Sequence, residues 1–351
     1  MKKISFRQIL IFYFVYSFSI KFLMLPQSLT GAVGRDSWIA AGLGALAELL
    51  VLFIVLMSMN RKAKARLLMP VLLAFFLLQV LITLRQTNSL LSTALYESLN
   101  LHMFVISMLV LGIFFCYAKT RAVFRAGEIF YVLILIAIFL SVFPSLWKVN
   151  PSETLPVLDG GIKPVLRAVF DNLIYFEAAF VLLMFKGEVE LKKGFRRSFM
   201  IWAGVGAVAF TVFVFFYYSL FGPLAGIRTL GIVDVTGVNS YIAQNGRLEW
   251  IIACVWLLLL LMRFGVLFYC CFACIRHITP SKFQPAVIVF PLAAAVYALF
   301  VFVSLPSVLD ALRLPVLIFF AAMPLLLLIW GWIASAFSKR VQLRHPKGGA
   351  G

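Results

Sequence analysis

Charge is scarce in this chain, and negative charge scarcest of all. Only 13% of the 351 residues are charged, and 31 Lys and Arg stand against 13 Asp and Glu. Histidine is limited to His102, His277 and His345. There is no Walker loop, no His-Glu-x-x-His helix and no Ser/His/Asp arrangement, so hydrolytic chemistry lacks its usual equipment. The five cysteines (Cys116, Cys254, Cys270, Cys271 and Cys274) lie in or beside apolar segments and do not read as an extracellular disulfide framework. "CCFACIRH" holds three of them with His277. Zinc needs about four converging ligands, whereas these residues spread around consecutive helical turns. The expectation is a non-enzymatic chain with no metal and no cofactor.

What is abundant is apolar side chain, at 64% of residues. A soluble domain of this size needs a far more polar surface. A hydrophobic helix of about 20 residues spans the bilayer core, and such segments follow one another almost end to end. They predict an all-α integral membrane protein with ten transmembrane helices: 6–31, 37–59, 67–95, 103–118, 124–147, 163–186, 195–221, 248–275, 284–304 and 314–337. The first is expected to stay, being too long for a cleaved signal peptide and lacking a small-residue cleavage site. No soluble domain is expected. Residues 338–351, ending "KGGAG", read as a flexible tail, and "TGVNSYIAQNG" within the 222–247 connector reads as a short helix over an outer vestibule.

The net charge of +18 does not point to nucleic acid, because the charges fall in connectors on one side. With both termini counted, that side carries 21 of the 31 basic residues. The positive-inside rule then makes both termini cytoplasmic, which requires an even number of spans. Five spans precede the midpoint, so the second half runs opposite to the first. Residues 6–147 are expected to form one five-span repeat, and 163–304 with 314–337 the other. Such a five-plus-five inverted arrangement is one physical solution for transporters, with its site between the discontinuous helices that begin each repeat.

Both leading spans carry an interruption. Pro26 in span 1 has no amide hydrogen and crowds the carbonyl of Phe22, with the polar run Tyr16–Ser19 upstream and Gln27 and Ser28 after it. Span 6 places Asp171, Asn172 and Glu177 in a segment too apolar for a loop. A bare carboxylate there costs about 2.5–3.5 kcal/mol, so these residues should face a polar cavity or a partner. Unwound backbone at that depth is tolerated where it lines a cavity. Its amides suit a carboxylate, and its carbonyls, with Glu177 or Asp171, suit an ammonium group. An α-amino acid presents both.

Plainer readings stand beside these. Pro26 is either a packing kink or a break. Asp171 and Arg167, four apart, either neutralise each other near the outer end or serve the cavity. Lys21 either snorkels to an interface or lines the cavity, paired with Glu177 or with Glu48 of span 2. Arg85 follows a polar stripe in span 3 (Gln79, Thr83, Gln86, Thr87, Asn88), and Arg263 sits in mid-span 8. Each is read as a structural ion pair or a substrate contact, facing protein or water. Arg125 and Glu128 read as an interfacial pair.

Three stretches carry a family resemblance: "ISFRQIL", "FLMLPQSLTGAVGRDSWIA" and "LPVLDGGIKPVLRAVF". They resemble the B subunits of bacterial spore germinant receptors, of the amino acid–polyamine–organocation superfamily. The most specific part is Leu25, Pro26, Gly34, Arg35, Asp36, Trp38 and Ile39. The resemblance implies the superfamily's ten-span inverted repeat, of the LeuT type, in the inner membrane of a spore. It also implies a nutrient germinant such as an amino acid as ligand, and A and C subunits as partners. By position, the ligand residues would be Ser17, Ser19, Ile20 and Lys21 of span 1 with Phe176 and Glu177 of span 6, and with contributions from spans 3 and 8. One departure stands out: the break of span 1 is often glycine-rich in the superfamily, whereas "YSFSIKF" has no glycine, and its side chains narrow any pocket there. A sensing subunit, a proton- or ion-coupled amino-acid permease and a membrane scaffold are the three functions in play.

Overall fold

The computed structural model describes residues 4–59, 68–95, 100–189, 194–238, 247–279, 284–303, 314–327 and 329. Its α-helices are α1 (Phe6–Val33), α2 (Ser37–Met59), α3 (Met69–Leu90), α4 (Leu101–Tyr117), α5 (Thr120–Val142) and α6 (Ile162–Asn172). They continue as α7 (Ala178–Met184), α8 (Phe195–Phe221), α9 (Gly231–Gly237), α10 (Arg247–Ile278), α11 (Pro285–Phe302) and α12 (Leu314–Leu327). Among the described residues, six helical stretches are long and apolar enough to cross a membrane, and α4 and α12 are shorter apolar helices. Large apolar side chains such as Val110, Phe114, Ile129, Phe139 and Phe290 stand exposed on the outer helices. In a chain of this composition those faces meet lipid. The protein is a multi-pass membrane protein. The tail at 338–351 and most of the basic connectors lie outside the described residues.

The first of the six stretches, Phe6–Ser58, is really two helices. Ser5 opens α1 with a capping box: its hydroxyl accepts from the Gln8 amide at 3.4 Å, and the Gln8 side chain accepts from the Ser5 amide at 3.3 Å. Gly34 closes α1 at φ +57°, a conformation that other residues enter only with strain. A short 3-10 turn, Gly34–Asp36, then starts α2. Tyr13 and Lys21 of α1 both reach Glu48, so α2 runs back along α1.

α1 is the centre of the molecule. It packs against α2, α5, α6, α8, α9 and α10. Its apolar residues are buried on every side, from Ile9 and Phe12 to Leu25 and Leu29. A helix that is apolar all round belongs in a core. The expected break in span 1 is absent: α1 runs unbroken through Pro26. Proline removes a single N–H, and a membrane helix tolerates that loss where neighbours cover the freed carbonyl. Here Gly231, at the start of α9, lies against the Phe22 and Leu23 carbonyls, and a Cβ on it would sit 2.7 Å from the Leu23 oxygen. Most of "TGVNSYIAQNG", expected to form a short helix over a vestibule, lies outside the described residues; α9, which overlaps only its first two residues, is buried between other helices.

Span 6 is discontinuous, as expected. α6 ends at Asn172, a 3-10 turn covers Leu173–Tyr175, and Phe176 and Glu177 are non-helical before α7 begins. At one end of the bundle Arg35 donates to the Leu155 carbonyl at 2.8 Å, and Asp36 accepts from the Leu158 amide at 2.8 Å. Two of the stretches carrying the family resemblance therefore touch each other. At the other end the Ile4 amide donates to the Glu188 carbonyl at 2.8 Å in a bridge beside Val189. Nearby, Glu128 pairs with Arg7 at 2.9 Å, which corrects the pairing expected with Arg125.

The Phe176 ring is seated on Gly44 of α2, where a Cβ would lie 2.5 Å from the ring tip. Overpacking a core of this kind costs about 1–3 kcal/mol. Gly44→Ala is therefore expected to lower the thermal midpoint of the purified protein. The loss should be smaller in a Phe176→Leu background, where the ring tip is gone. An unchanged midpoint would remove this contact from the account.

Candidate functional site

Two ion pairs are buried against different sides of α1. On the first side Lys21 Nζ donates to Glu48 Oε2 of α2 and, at 2.7 Å, to Ser17 Oγ one turn back. Tyr13 donates to the other Glu48 oxygen at 3.1 Å. Tyr13, Ser17 and Lys21 follow one another four residues apart, so one stripe of α1 presents them together. The Lys21 ammonium also lies 5.0 Å from the centre of the Phe176 ring. That geometry adds a cation–π attraction.

On the second side Arg263 of α10 pairs with Glu177 at the break of span 6. Arg263 Nε donates to Thr83 Oγ1 at 3.3 Å, and its two NH groups reach the Tyr16 carbonyl at 3.2 Å and Gln79 Oε1 at 3.5 Å. Tyr16 donates its hydroxyl to Glu177 Oε1 at 2.9 Å, and its ring lies under the guanidinium at 4.5 Å. Gln79 Nε2 donates to the Ile174 carbonyl in the unwound turn at 2.6 Å. The break is thus tied to α1, α3 and α10 together. Glu177 Oε2, buried, has no hydrogen-bond partner among the described residues.

Both pairs are removed from solvent, with side-chain exposures of 5% for Lys21 and Glu48, 1% for Arg263 and 0% for Glu177. Two acids and two bases make the buried set neutral. Breaking a buried pair by removing one partner leaves a bare charge, at a cost of about 3–5 kcal/mol. Beside Lys21 and Glu48 a cleft runs between α1, α2 and α8, past Ala45, Ala203, Gly206 and Ala207. Its free space holds about one water molecule. In this conformation the cleft is too small for an amino acid.

The expected site residues divide clearly. Lys21, Glu48, Glu177 and Arg263 come together in mid-bundle, with Lys21 taking Glu48 rather than Glu177. Phe176, at the break of span 6, sets its ring against the Lys21 ammonium. Ser17 is a direct Lys21 partner, whereas Ser19 donates back to the Tyr16 carbonyl at 2.7 Å and Ile20 is packed in the core. Asn172 ties α6 to α1, accepting from Ser28 Oγ at 2.7 Å just past Pro26. Two expectations are corrected. Asp171 lies 3.9 Å from Arg167, both with exposed side chains, on a face of α6 other than the buried one of Val165, Ala168, Val169 and Asn172. Arg85 is exposed and pairs with no described acid, because it faces away from the stripe of α3 that carries Gln79 and Thr83. Cys270, Cys271 and Cys274 are buried in helix packing, and Cys274 faces Met184 with the two sulfurs 3.9 Å apart. Tyr13 is a site residue that sequence reasoning missed; its four-residue spacing from Ser17 and Lys21 was the available signal.

Arg263→Met should cost about 3–5 kcal/mol of stability by stranding Glu177. The double variant Arg263→Met/Glu177→Gln should recover most of that loss. Thermal melting of the three purified proteins checks this; equal loss in the single and double variants would mean that the pair is not what holds the break.

No individually curated protein matches the chain. A family model described as spore germination protein matches residues 3–308, a range that takes in both ion pairs, the span 6 break and the touching Arg35–Asp36 and Leu155–Leu158 segments. On that match over most of its length, the chain belongs to the spore germination protein family.

Proposed function

We propose that this chain is the nutrient-sensing membrane subunit of a spore germination receptor, with ten spans in a five-plus-five inverted repeat of the amino acid–polyamine–organocation type. It takes a small ligand, an amino acid, at the junction of spans 1 and 6. It passes the resulting change in packing to A and C subunits in the inner spore membrane, with both of its own termini cytoplasmic. Family membership supports the germination role. The observation that carries the ligand reading is the break at Phe176–Glu177, set against the middle of α1 with buried charges of both signs beside it.

An amino-acid zwitterion complements that arrangement, because it brings one charge of each sign and leaves the buried set neutral. The ligand acts by favouring one packing of α1 and the two halves of span 6, and it shifts the equilibrium only by its differential affinity for the two packings. The tightness of the junction accords with a sensor that opens on binding. The buried carboxylates Glu48 and Glu177 favour a second reading, a proton-coupled permease, since each is a place where a proton could be carried.

The test is ligand-dependent stabilisation of the purified chain in lipid nanodiscs across the amino acids. A responding amino acid should bind at least tenfold more weakly to Glu177→Gln, a loss of about 1.4 kcal/mol. Unaltered affinity in that variant and in Phe176→Ala would move the ligand elsewhere. Concentrative uptake into proteoliposomes by this chain alone would favour the permease.

A further inference from the structure

Lys21 is held as a free ammonium ion would be held. Its Nζ donates to a hydroxyl (Ser17, 2.7 Å) and to a carboxylate (Glu48), and it faces an aromatic ring (Phe176, 5.0 Å). Those three kinds of group recognise ammonium ions in general. They come from three places in the chain: α1, α2 and the break of span 6. Tyr13 orients Glu48 through the carboxylate's other oxygen, so the acid is positioned independently of Lys21. The cage also adjoins free space, since the neighbouring cleft is lined by both Lys21 and Glu48 and by the small residues Ala45, Ala203, Gly206 and Ala207.

The other buried cation is different. Arg263 is fixed by acceptors on α1, on α3 and at the break, and sits over the Tyr16 ring. Lysine carries a compact charge on a flexible four-carbon stem, whereas the guanidinium is a rigid fork. Of the two pairs, Lys21–Glu48 is the one built to exchange its cation.

We propose that Glu48, Ser17, Tyr13 and Phe176 form a binding site for a primary ammonium group, filled in this conformation by the chain's own Lys21. Lys21 is a tethered occupant that a ligand ammonium must displace, and its tether gives it a high effective concentration. It therefore sets the ligand concentration at which the site exchanges. A zwitterionic ligand displaces it most readily, because the ligand carboxylate then pairs with the released lysine and no bare charge remains. Phe176 connects the site to the break of span 6. The site itself stands on side-chain geometry; its meaning for a natural ligand rests on the function proposed above.

Lys21→Ala deletes Cγ, Cδ, Cε and Nζ, which are the heavy atoms of n-propylammonium. The thermal midpoint of the purified full-length variant is measured against increasing n-propylammonium, n-propanol and tetramethylammonium. Folded yield, with each compound present throughout expression and extraction, is the second readout and still reports if the variant is too unstable to purify alone. The expected result is a saturable rise of several degrees, or a several-fold gain in folded yield, with n-propylammonium only. The unaltered protein and Lys21→Ala/Glu48→Gln should not respond, the first because its cage is filled and the second because its carboxylate is gone. No response to n-propylammonium in either readout would overturn the proposal. So would an equal response to n-propanol, which would mean mere cavity filling. Rescue in Lys21→Ala, combined with no effect of Glu177→Gln on amino-acid binding, would keep the ammonium site and reject the proposed ligand position.

Discussion

Everything in the middle of this protein depends on neutralising buried charge with charge. Glu48 and Glu177 lie on elements that must cross an apolar phase, and neither is tolerable there alone. Lys21 and Arg263 answer them one for one. Because the four charges belong to α1, α2, the span 6 break and α10, pairing them fixes how those elements stand around α1. Buried ion pairs add little net stability over apolar packing but penalise any arrangement that separates them. In a bundle whose helices are otherwise greasy on most faces, that penalty selects one packing among many similar ones.

The break in span 6 belongs to the same constraint. Unwinding at Phe176–Glu177 frees backbone groups that lipid cannot satisfy, and the structure supplies partners from neighbouring helices, such as Gln79 for the Ile174 carbonyl. Glu177 is thereby turned to Arg263 and the Phe176 ring to Lys21 and Gly44. Pro26 shows the opposite outcome. It removes only one donor, α9 covers the freed carbonyl, and the helix continues. The interrupted element is the one with a carboxylate to place, and the helix with only a proline stays whole.

Much of this was legible in the sequence. The membrane class, the positions of the helices and the discontinuity of span 6 follow from runs of apolar residues interrupted by Asp171, Asn172 and Glu177. Lys21, Glu48, Glu177 and Arg263 could each be singled out, since a charge within an apolar span needs a reason. Which acid meets which base could not be read, because helical rotation and crossing angle decide it, and those are set by contacts such as Phe176 on Gly44 and Phe14 on Gly206. For the same reason Arg85 and Asp171 could not be told from the central charges: each sits in an apolar run, but on the face turned away from the core. The intact span 1 was hinted at by the absence of glycine from "YSFSIKF", yet covering the proline required Gly231, some 200 residues away in the chain.

The central claim is that Glu48 and Glu177 are ionised and paired in the closed bundle. Isotope-edited infrared spectroscopy tests it most directly, by comparing the glutamate-labelled protein with its Glu48→Gln and Glu177→Gln variants. The account predicts that each substitution removes intensity from the carboxylate bands and none from the protonated carboxyl band. Loss from the protonated band at either position would mean a neutral acid there, and would contradict the account.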